Sequence, residues 1–180
     1  MEFVEPIREK ADIEMMKAVL RSKSERNYMM FMFGINSGLR VSDILKLRVL
    51  DVTGWHVTIK EKKTGKLKKF KMTPVLKKAI QDYTRDKEPW ELLFKSRQGN
   101  NKPINRRTAD WILKMAANEC GLTNIGTHSM RKTFGYHYYQ NTKDIGTLMT
   151  LFNHAAPSIT LKYIGINQDQ LDQAMSKFGL

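Results

Sequence analysis

Cysteine, acidic residues and long apolar runs are scarce in this chain of 180 residues, and each shortage excludes a class of protein. The single cysteine, Cys120, cannot form an internal disulfide, so a disulfide-stapled secreted domain is excluded and a reducing compartment is expected. The N-terminal residues contain no apolar signal core, and the longest apolar stretch, residues 28–35, is too short to span a bilayer. We therefore expect a soluble cytoplasmic protein.

The shortage of acidic residues leaves the chain strongly basic. Lysine and arginine number 31 against 18 aspartates and glutamates, a formal net charge of +13. Such a surplus is typical of proteins that bind nucleic acid, although a basic protein without that role is the alternative. The sequence contains no phosphate-binding loop, no zinc-ligand spacing and no acidic metal cluster, so we expect neither a metal nor a cofactor.

Apolar periodicity predicts a mainly α-helical domain, with 41% hydrophobic residues available for a core. We place Ser42 as the N-cap of one short helix and Asn105 as the N-cap of a longer one. The stripe of Met130, Phe134 and Tyr138 is interpreted as core rather than as a base-stacking surface. The predicted helices cover residues 6–22, 25–36, 42–47, 74–86, 106–120, 128–141 (starting at 127 or 128), 144–154, 157–165 and 167–178.

The periodicity changes from helical to alternating between Trp55 and Met72. Two short alternating segments flank the turn sequence Lys63-Thr64-Gly65-Lys66, which predicts an antiparallel β-hairpin packed on the helical core. Lysines crowd this hairpin, and a phosphate backbone would neutralise them; protection of an exposed strand edge is the alternative. Two arginines at the start of the helix over 106–120 oppose its dipole unless a phosphate binds there. The predicted DNA contacts are Lys60, Lys62, Lys66, Lys68, Lys69, Arg106 and Arg107.

Five separated residues carry the chemistry. Arg40 precedes a predicted helix N-terminus, where an anion is favoured. His128 and Arg131 are three residues apart and share one helix face, and His154 precedes Tyr163 by nine residues. Each has an ordinary explanation as a surface or packing residue. Together they supply two arginines to hold a phosphate, histidines to move protons and a tyrosine to attack it.

The order of these elements resembles the tyrosine recombinase, or phage integrase, family. The features that carry the resemblance are Gly38-Leu39-Arg40 before a helix, a lysine-tipped hairpin, the His128-x-x-Arg131 pair, His154 and Tyr163. The resemblance implies an α+β, mainly α catalytic domain with a small antiparallel sheet, covering residues 1–180 as a single domain. Many family members carry an N-terminal helical domain that binds the far side of the DNA, and we expect none within these 180 residues.

The resemblance also implies a role for each residue. Arg40 and Arg131 match the arginines that bind the non-bridging oxygens of the scissile phosphate. His128 matches the histidine that assists proton transfer at the tyrosine, and His154 matches the one that hydrogen-bonds the phosphate. Tyr163 matches the nucleophile, which forms a 3′-phosphotyrosine and releases a 5′-hydroxyl without a metal or ATP.

The hairpin lysine has more than one candidate. Lys63 matches the general acid that protonates the leaving 5′-oxygen, but Lys62 or Lys66 could fill that role because the lysines are close together. The segment Phe152-Asn153-His154 departs from the more usual Leu-Gly-His of the family, so the approach to the histidine is expected to differ.

The function that follows is site-specific recombination of double-stranded DNA. The alternatives are a type IB topoisomerase-like DNA-relaxing enzyme and a non-catalytic DNA-binding module that retains the fold. Recombination between two DNA sites implies a homotetramer. The helix over 167–178 then packs either on its own chain or in trans on a neighbouring protomer.

Overall fold

Nine α-helices, one short 3₁₀ helix and a two-stranded sheet make up residues 4–178, the part of the chain that the computed structural model describes. This architecture confirms the predicted fold class. The predicted domain over 1–180 also includes residues 1–3 and 179–180, which lie outside the described residues. Within 4–178, no helix is long and apolar enough to cross a membrane. The elements are α1 (Lys10–Lys23), α2 (Glu25–Ser37), α3 (Val41–Ile44), the 3₁₀ helix (Val49–Val52), β1 (His56–Lys60), β2 (Leu67–Lys71), α4 (Pro74–Thr84), α5 (Arg106–Glu119), α6 (Thr127–Thr142), α7 (Ile145–Phe152), α8 (Pro157–Tyr163) and α9 (Ile166–Ser176).

Several helix starts differ from the sequence prediction. Helix α1 begins at Lys10 rather than at residue 6, because the preceding segment is bound to α6: the Ile7 amide donates to Thr133 Oγ1 at 2.8 Å. Helix α3 begins at Val41 with Arg40 at the N-cap, so the predicted cap at Ser42 is wrong. Helix α9 begins one residue before Asn167, with Gly165 at its N-cap in the left-handed region.

The hairpin forms as predicted, and its register alternates between the core and the surface. β1 and β2 pair antiparallel from His56 opposite Lys71 to Lys60 opposite Leu67. Val57 and Ile59 are buried beneath the sheet, whereas the lysines of β2 point mostly outward. Trp55, where the alternating pattern begins, precedes β1 and is 48% exposed.

Helix α2 is the centre of the main core. A continuous run from Met29 to Phe33 is buried, because α1, α4 and α6 pack around this helix. Gly34 permits the closest approach: a Cβ at this position would lie 2.5 Å from Met130 Sδ on α6. This contact brings Arg40, which follows α2, close to the helix that carries Arg131.

A second, smaller cluster holds α7 and α8 against α6. Phe152 and Ile164 are buried in it, and a Cβ at Gly135 would lie 2.6 Å from Ile164 Cγ2 and 2.8 Å from Phe152 Cε2. Phe134 and Tyr138 are partly buried and stack against this cluster with ring centroids 5.9 Å apart, which supports their interpretation as packing residues rather than as a base-stacking surface. The cluster fixes the positions of the segments on either side of Phe152 and Ile164.

Candidate active site

Arg131 lies at the centre of the candidate site. Only 2% of this residue is exposed, and its guanidinium lies 4.2 Å from the centroid of the Phe152 ring. Its Nη1 donates to the Gly38 carbonyl at 2.7 Å and its Nη2 to the Phe152 carbonyl at 3.1 Å. Gly38 is the C-cap of α2 and Phe152 is the last residue of α7, so one cation stabilises the C-terminal ends of two helices. Arg40 and His154, each two residues beyond one of these carbonyls, are thereby held near Arg131.

Arg40 faces a buried carboxylate. Its Nη1 lies 3.1 Å from Glu61 Oε1, and the Glu61 side chain is 0% exposed. The sequence prediction missed Glu61, although one signal could have found it: it is the only acidic residue between Asp51 and Asp82, within a run of lysines. An isolated acid that persists in such a basic segment indicates a specific partner.

Three further donors converge on the Glu61 carboxylate. Thr64 Oγ1 donates to Oε2 at 2.7 Å, Asn153 Nδ2 to Oε2 at 2.8 Å, and Lys68 Nζ to Oε1 at 3.3 Å. Burial alone would raise the pKa of Glu61, but the Thr64 and Lys68 hydrogen bonds and the charges of Lys68 and Arg40 outweigh it and lower the pKa below its ordinary value. Glu61 is therefore ionised at neutral pH.

Tyr163 and His154 lie edge to face next to the arginines. Their ring centroids are 5.3 Å apart at an interplanar angle of 76°, and the Phe152 ring packs against Tyr163 at 5.5 Å. His154 Nδ1 lies 3.0 Å from Thr160 Oγ1, which orients the imidazole. Helix α8 carries both Thr160 and Tyr163, so the short helix started by Pro157 sets the geometry of the pair.

The electrostatics of the two rings follow from burial beside cations. Burial raises the pKa of the Tyr163 phenol, and the opposing charges of Arg131 and Arg40 do not cancel that effect. Burial and the same two arginines lower the pKa of the His154 imidazole. At neutral pH the chain therefore presents a protonated phenol next to a neutral imidazole.

His128 is in the first turn of α6, three residues before Arg131. Its Nε2 lies 3.4 Å from Arg106 Nη2, at the edge of the site. Burial lowers the pKa of His128, and the charges of Arg106 and Arg131 add to this effect. The predicted DNA contact Arg106 therefore lies next to one of the predicted catalytic histidines, and its neighbour Arg107 is exposed on α5.

Lys63 lies apart from this cluster, exposed in the turn between β1 and β2. Within residues 4–178, its ammonium makes no hydrogen bond or ion pair. The base of the turn is nevertheless fixed, because the Lys62 amide donates to Asp43 Oδ1 on α3 at 2.8 Å. The structure thus attaches the turn to the site and leaves the Lys63 side chain free to reach a bound molecule.

The other hairpin lysines fall into two groups. Four predicted DNA contacts have exposed side chains: Lys60, Lys62, Lys66 and Lys69. Lys68 differs, because its side chain is 12% exposed and its ammonium bonds Glu61 and the Leu151 carbonyl. Burial lowers the pKa of Lys68. In this structure its ammonium points into the protein rather than toward a surface ligand.

The arrangement can bind an anion and present a nucleophile to it. Two guanidinium groups, a neutral imidazole and a phenol lie close together, near the C-terminal ends of α2, α7 and α8. Among the residues described, no three His, Cys, Asp or Glu side chains are placed to hold a metal ion.

Comparison of the amino-acid sequence with known proteins identifies relatives of this chain. The family model described as the phage integrase family matches residues 7–170. The probable integrase/recombinase YoeC of Bacillus subtilis (strain 168) is 49% identical over 180 residues, with 99% of each chain covered. The tyrosine recombinase XerA of Thermococcus onnurineus (strain NA1) is 25% identical over 171 residues, which are 92% of this chain and 60% of that protein.

Solved structures share the fold at low sequence identity. A crystal structure of XerA recombinase has a TM-score of 0.75 at 18% identity, and the match covers 96% of this chain and 65% of that one. The Tn1549 transposon integrase in complex with a circular intermediate DNA has a TM-score of 0.73 at 16% identity, covering 91% of this chain and 62% of that one. The chain thus spans about two thirds of the length of these larger proteins.

Proposed function

Because this chain belongs to the phage integrase family of tyrosine recombinases, we propose that it is a site-specific DNA recombinase whose nucleophile is Tyr163. One observation carries the proposal: a half-buried tyrosine at the end of α8 packs on His154 and lies within the electrostatic field of Arg131 and Arg40. A tyrosine used only for packing needs no such neighbours.

The reaction proceeds as an in-line displacement at phosphorus. The Tyr163 oxygen attacks the scissile phosphate and gives up its proton, with His128 assisting; the bond between phosphorus and the 5′-oxygen breaks. Lys63 protonates that oxygen, so a 3′-phosphotyrosine and a free 5′-hydroxyl result. Attack by a 5′-hydroxyl of another strand reverses these steps and restores both the tyrosine and an intact strand.

The arginines stabilise the charge that develops on the phosphate. A guanidinium has five N–H donors, so Arg131 retains donors for a phosphate after its bonds to the Gly38 and Phe152 carbonyls. Bidentate contact suits a crowded pentavalent phosphorus better than a lysine point charge. The raised pKa of Tyr163 in the DNA-free chain implies that ionisation of the phenol accompanies phosphate binding and proton transfer rather than preceding them.

Double-stranded DNA is the proposed partner, with a homotetramer acting on two sites. The exposed lysines of the hairpin and the arginines at the start of α5 provide the cationic contacts. Helix α9 supports the tetramer, because Leu171, Met175 and the following Phe178 are 55%, 59% and 68% exposed. This apolar row, within the predicted segment 167–178, is available to dock in trans on a neighbouring protomer.

The test is covalent trapping. Wild-type protein and the variants Tyr163→Phe and Tyr139→Phe are incubated with pooled nicked duplexes, denatured with SDS and analysed for protein-linked DNA. We expect a 3′-phosphate adduct in the wild type and in Tyr139→Phe but none in Tyr163→Phe, which should still bind DNA. An adduct in Tyr163→Phe would refute the assignment of the nucleophile. Salt-sensitive binding without any adduct would favour a DNA-binding module, and relaxation of supercoiled DNA without site preference would favour a topoisomerase-like enzyme.

A second substrate tests the general acid. A bridging sulfur at the 5′-position is a better leaving group and needs no proton, so it should restore cleavage by Lys63→Ala. If Lys63→Ala stays inactive on this substrate while Lys62→Ala or Lys66→Ala is restored, the general acid is the lysine whose variant is restored.

A further inference from the structure

Glu61 is an unusual residue for its position, a fully buried carboxylate at the base of a lysine-rich turn. Burying an ion is unfavourable unless each of its oxygens is hydrogen-bonded and an opposite charge lies nearby. Glu61 meets this condition, because Oε1 accepts from Arg40 and Lys68 while Oε2 accepts from Thr64 and Asn153.

The four donors come from different parts of the fold. Arg40 precedes α3, Thr64 is in the hairpin turn, Lys68 is on β2, and Asn153 follows α7. The segments joined in this way each carry or adjoin a residue of the proposed mechanism: Arg40 itself, the turn with Lys63, and His154 directly after Asn153. Glu61 is therefore the point at which three functional segments are connected.

Asn153 contributes to this connection through a side-chain hydrogen bond that depends on an uncommon backbone conformation. Its backbone lies in the left-handed region, at φ 55° and ψ 48°, where glycine and asparagine are the favoured residues. Its side chain uses that conformation to reach Glu61, 92 residues away in sequence. A glycine would keep the backbone but lose the bond, so the asparagine and the glutamate form a matched pair.

Charge gives the carboxylate a second effect on Arg40. Burial lowers the pKa of Lys68, and the positive charges of Arg131 and Arg40 lie close enough to the ammonium to lower it further. With no anion between them, Arg40 and Lys68 would separate. Glu61 binds Arg40 through Nη1 and so holds its guanidinium in one position before any phosphate arrives.

We propose that Glu61, paired with Asn153, is a positioning residue that acts through Arg40: it fixes the guanidinium in the geometry needed to stabilise the transition state. The claim rests on the proposed recombinase function. It predicts that loss of Glu61 slows strand cleavage without weakening DNA binding, since removal of a negative charge cannot reduce attraction to a phosphate backbone. A small misplacement of such a group costs about 10²-fold in rate.

The test compares Glu61→Gln with Glu88→Gln, an exposed glutamate whose substitution changes the net charge equally. Adduct formation through Tyr163 is measured on nicked duplexes at saturating and subsaturating DNA, and melting temperatures check the fold. We expect Glu61→Gln to lower the saturating rate about 10²-fold, with DNA affinity unchanged or tighter. Asn153→Gly should show a smaller loss of the same kind, and Glu88→Gln should behave as the wild type.

A double-mutant cycle identifies the residue through which Glu61 acts. Adding Glu61→Gln to Arg40→Ala should cost little further rate, whereas adding it to Lys63→Ala should cost its full effect. A wild-type saturating rate in Glu61→Gln, or a loss that is additive with Arg40→Ala, overturns the proposal. If Glu61→Gln does not fold, Asn153→Gly alone and combined with Arg40→Ala decides in the same way.

Failure of the proposed recombinase function can be distinguished from failure of the positioning role of Glu61. If the wild type forms no Tyr163-dependent adduct, the recombinase proposal fails. The geometric part of the claim is then decided by NMR of the Arg40 side chain, assigned from Arg40→Lys. Slow exchange of its guanidinium protons in the wild type and Glu88→Gln, with fast exchange in Glu61→Gln, supports the positioning of Arg40. Equal exchange in all three refutes it.

Discussion

Replacement of Arg131 by methionine should destabilise the fold as well as abolish the chemistry. Methionine approximates the length of the arginine side chain and packs well on aromatic rings, so it leaves only a small cavity against Phe152. It cannot donate to the carbonyls of Gly38 and Phe152, which Arg131 satisfies at 2.7 and 3.1 Å. Each buried carbonyl left without a donor costs about 1–3 kcal/mol.

The net effect is smaller than the sum of these costs. Removing a buried guanidinium regains part of its desolvation penalty, so we take about 3 kcal/mol for the two carbonyls together. For a domain of this size, each kcal/mol lowers Tm by about 2–4 °C. We therefore expect Arg131→Met to melt about 10 °C below the wild type.

Thermal unfolding followed by circular dichroism measures this, with Arg107→Met as the matched control on the exposed start of α5. Exposed substitutions change stability by about 0.5 kcal/mol or less, so the control should melt within about 2 °C of the wild type. If Arg131→Met melts as high as Arg107→Met, the two carbonyls do not depend on this guanidinium. Arg131 would then act on the phosphate alone.

Three further predictions concern pH and assembly. The folded pKa values of His128 and His154 are lowered, so the unfolded chain binds protons more readily below about pH 6.5. Stability present above that pH should therefore fall as pH falls, and less steeply in a His128→Gln/His154→Gln variant, as followed by urea unfolding. Burial raises the pKa of Tyr83 to about 12, so its contribution is present below pH 10 and is lost as pH rises toward 12; Tyr83→Phe should flatten that part of the alkaline unfolding profile. Finally, Leu171→Asp, on an exposed position of α9, should prevent protein tetramers on DNA in sedimentation experiments but leave the melting temperature unchanged; a lower Tm would indicate packing in cis.

The sequence predicted helices and strands well where interactions between residues close in sequence determine them. Asn105 accepts from the Thr108 amide at 2.8 Å, as its predicted role as N-cap requires, and the hairpin follows its alternating pattern. The family and enzyme class were also predicted correctly, because the motifs depend on residue type and order. Where long-range contacts compete, prediction failed: residues 6–9 carry a helical pattern, yet the bond from Ile7 to Thr133 holds this segment on α6 instead.

The candidate site shows the same division more sharply. Arg40, Arg131, His154 and Tyr163 could be selected as candidate site residues from the sequence, because their types and their order along the chain are typical of a phosphate-cleaving site. What holds them together could not, since it depends on backbone carbonyls at two helix ends and on Glu61, whose donors are up to 92 residues away. The hydrophobic periodicity of a sequence does not predict such contacts. Its composition likewise does not predict that the Lys68 side chain points inward while the neighbouring lysines are exposed. A buried acid in a basic segment is the exception, because the unfavourable burial of its charge requires cationic partners, and the nearby arginines and lysines are the groups that can supply them.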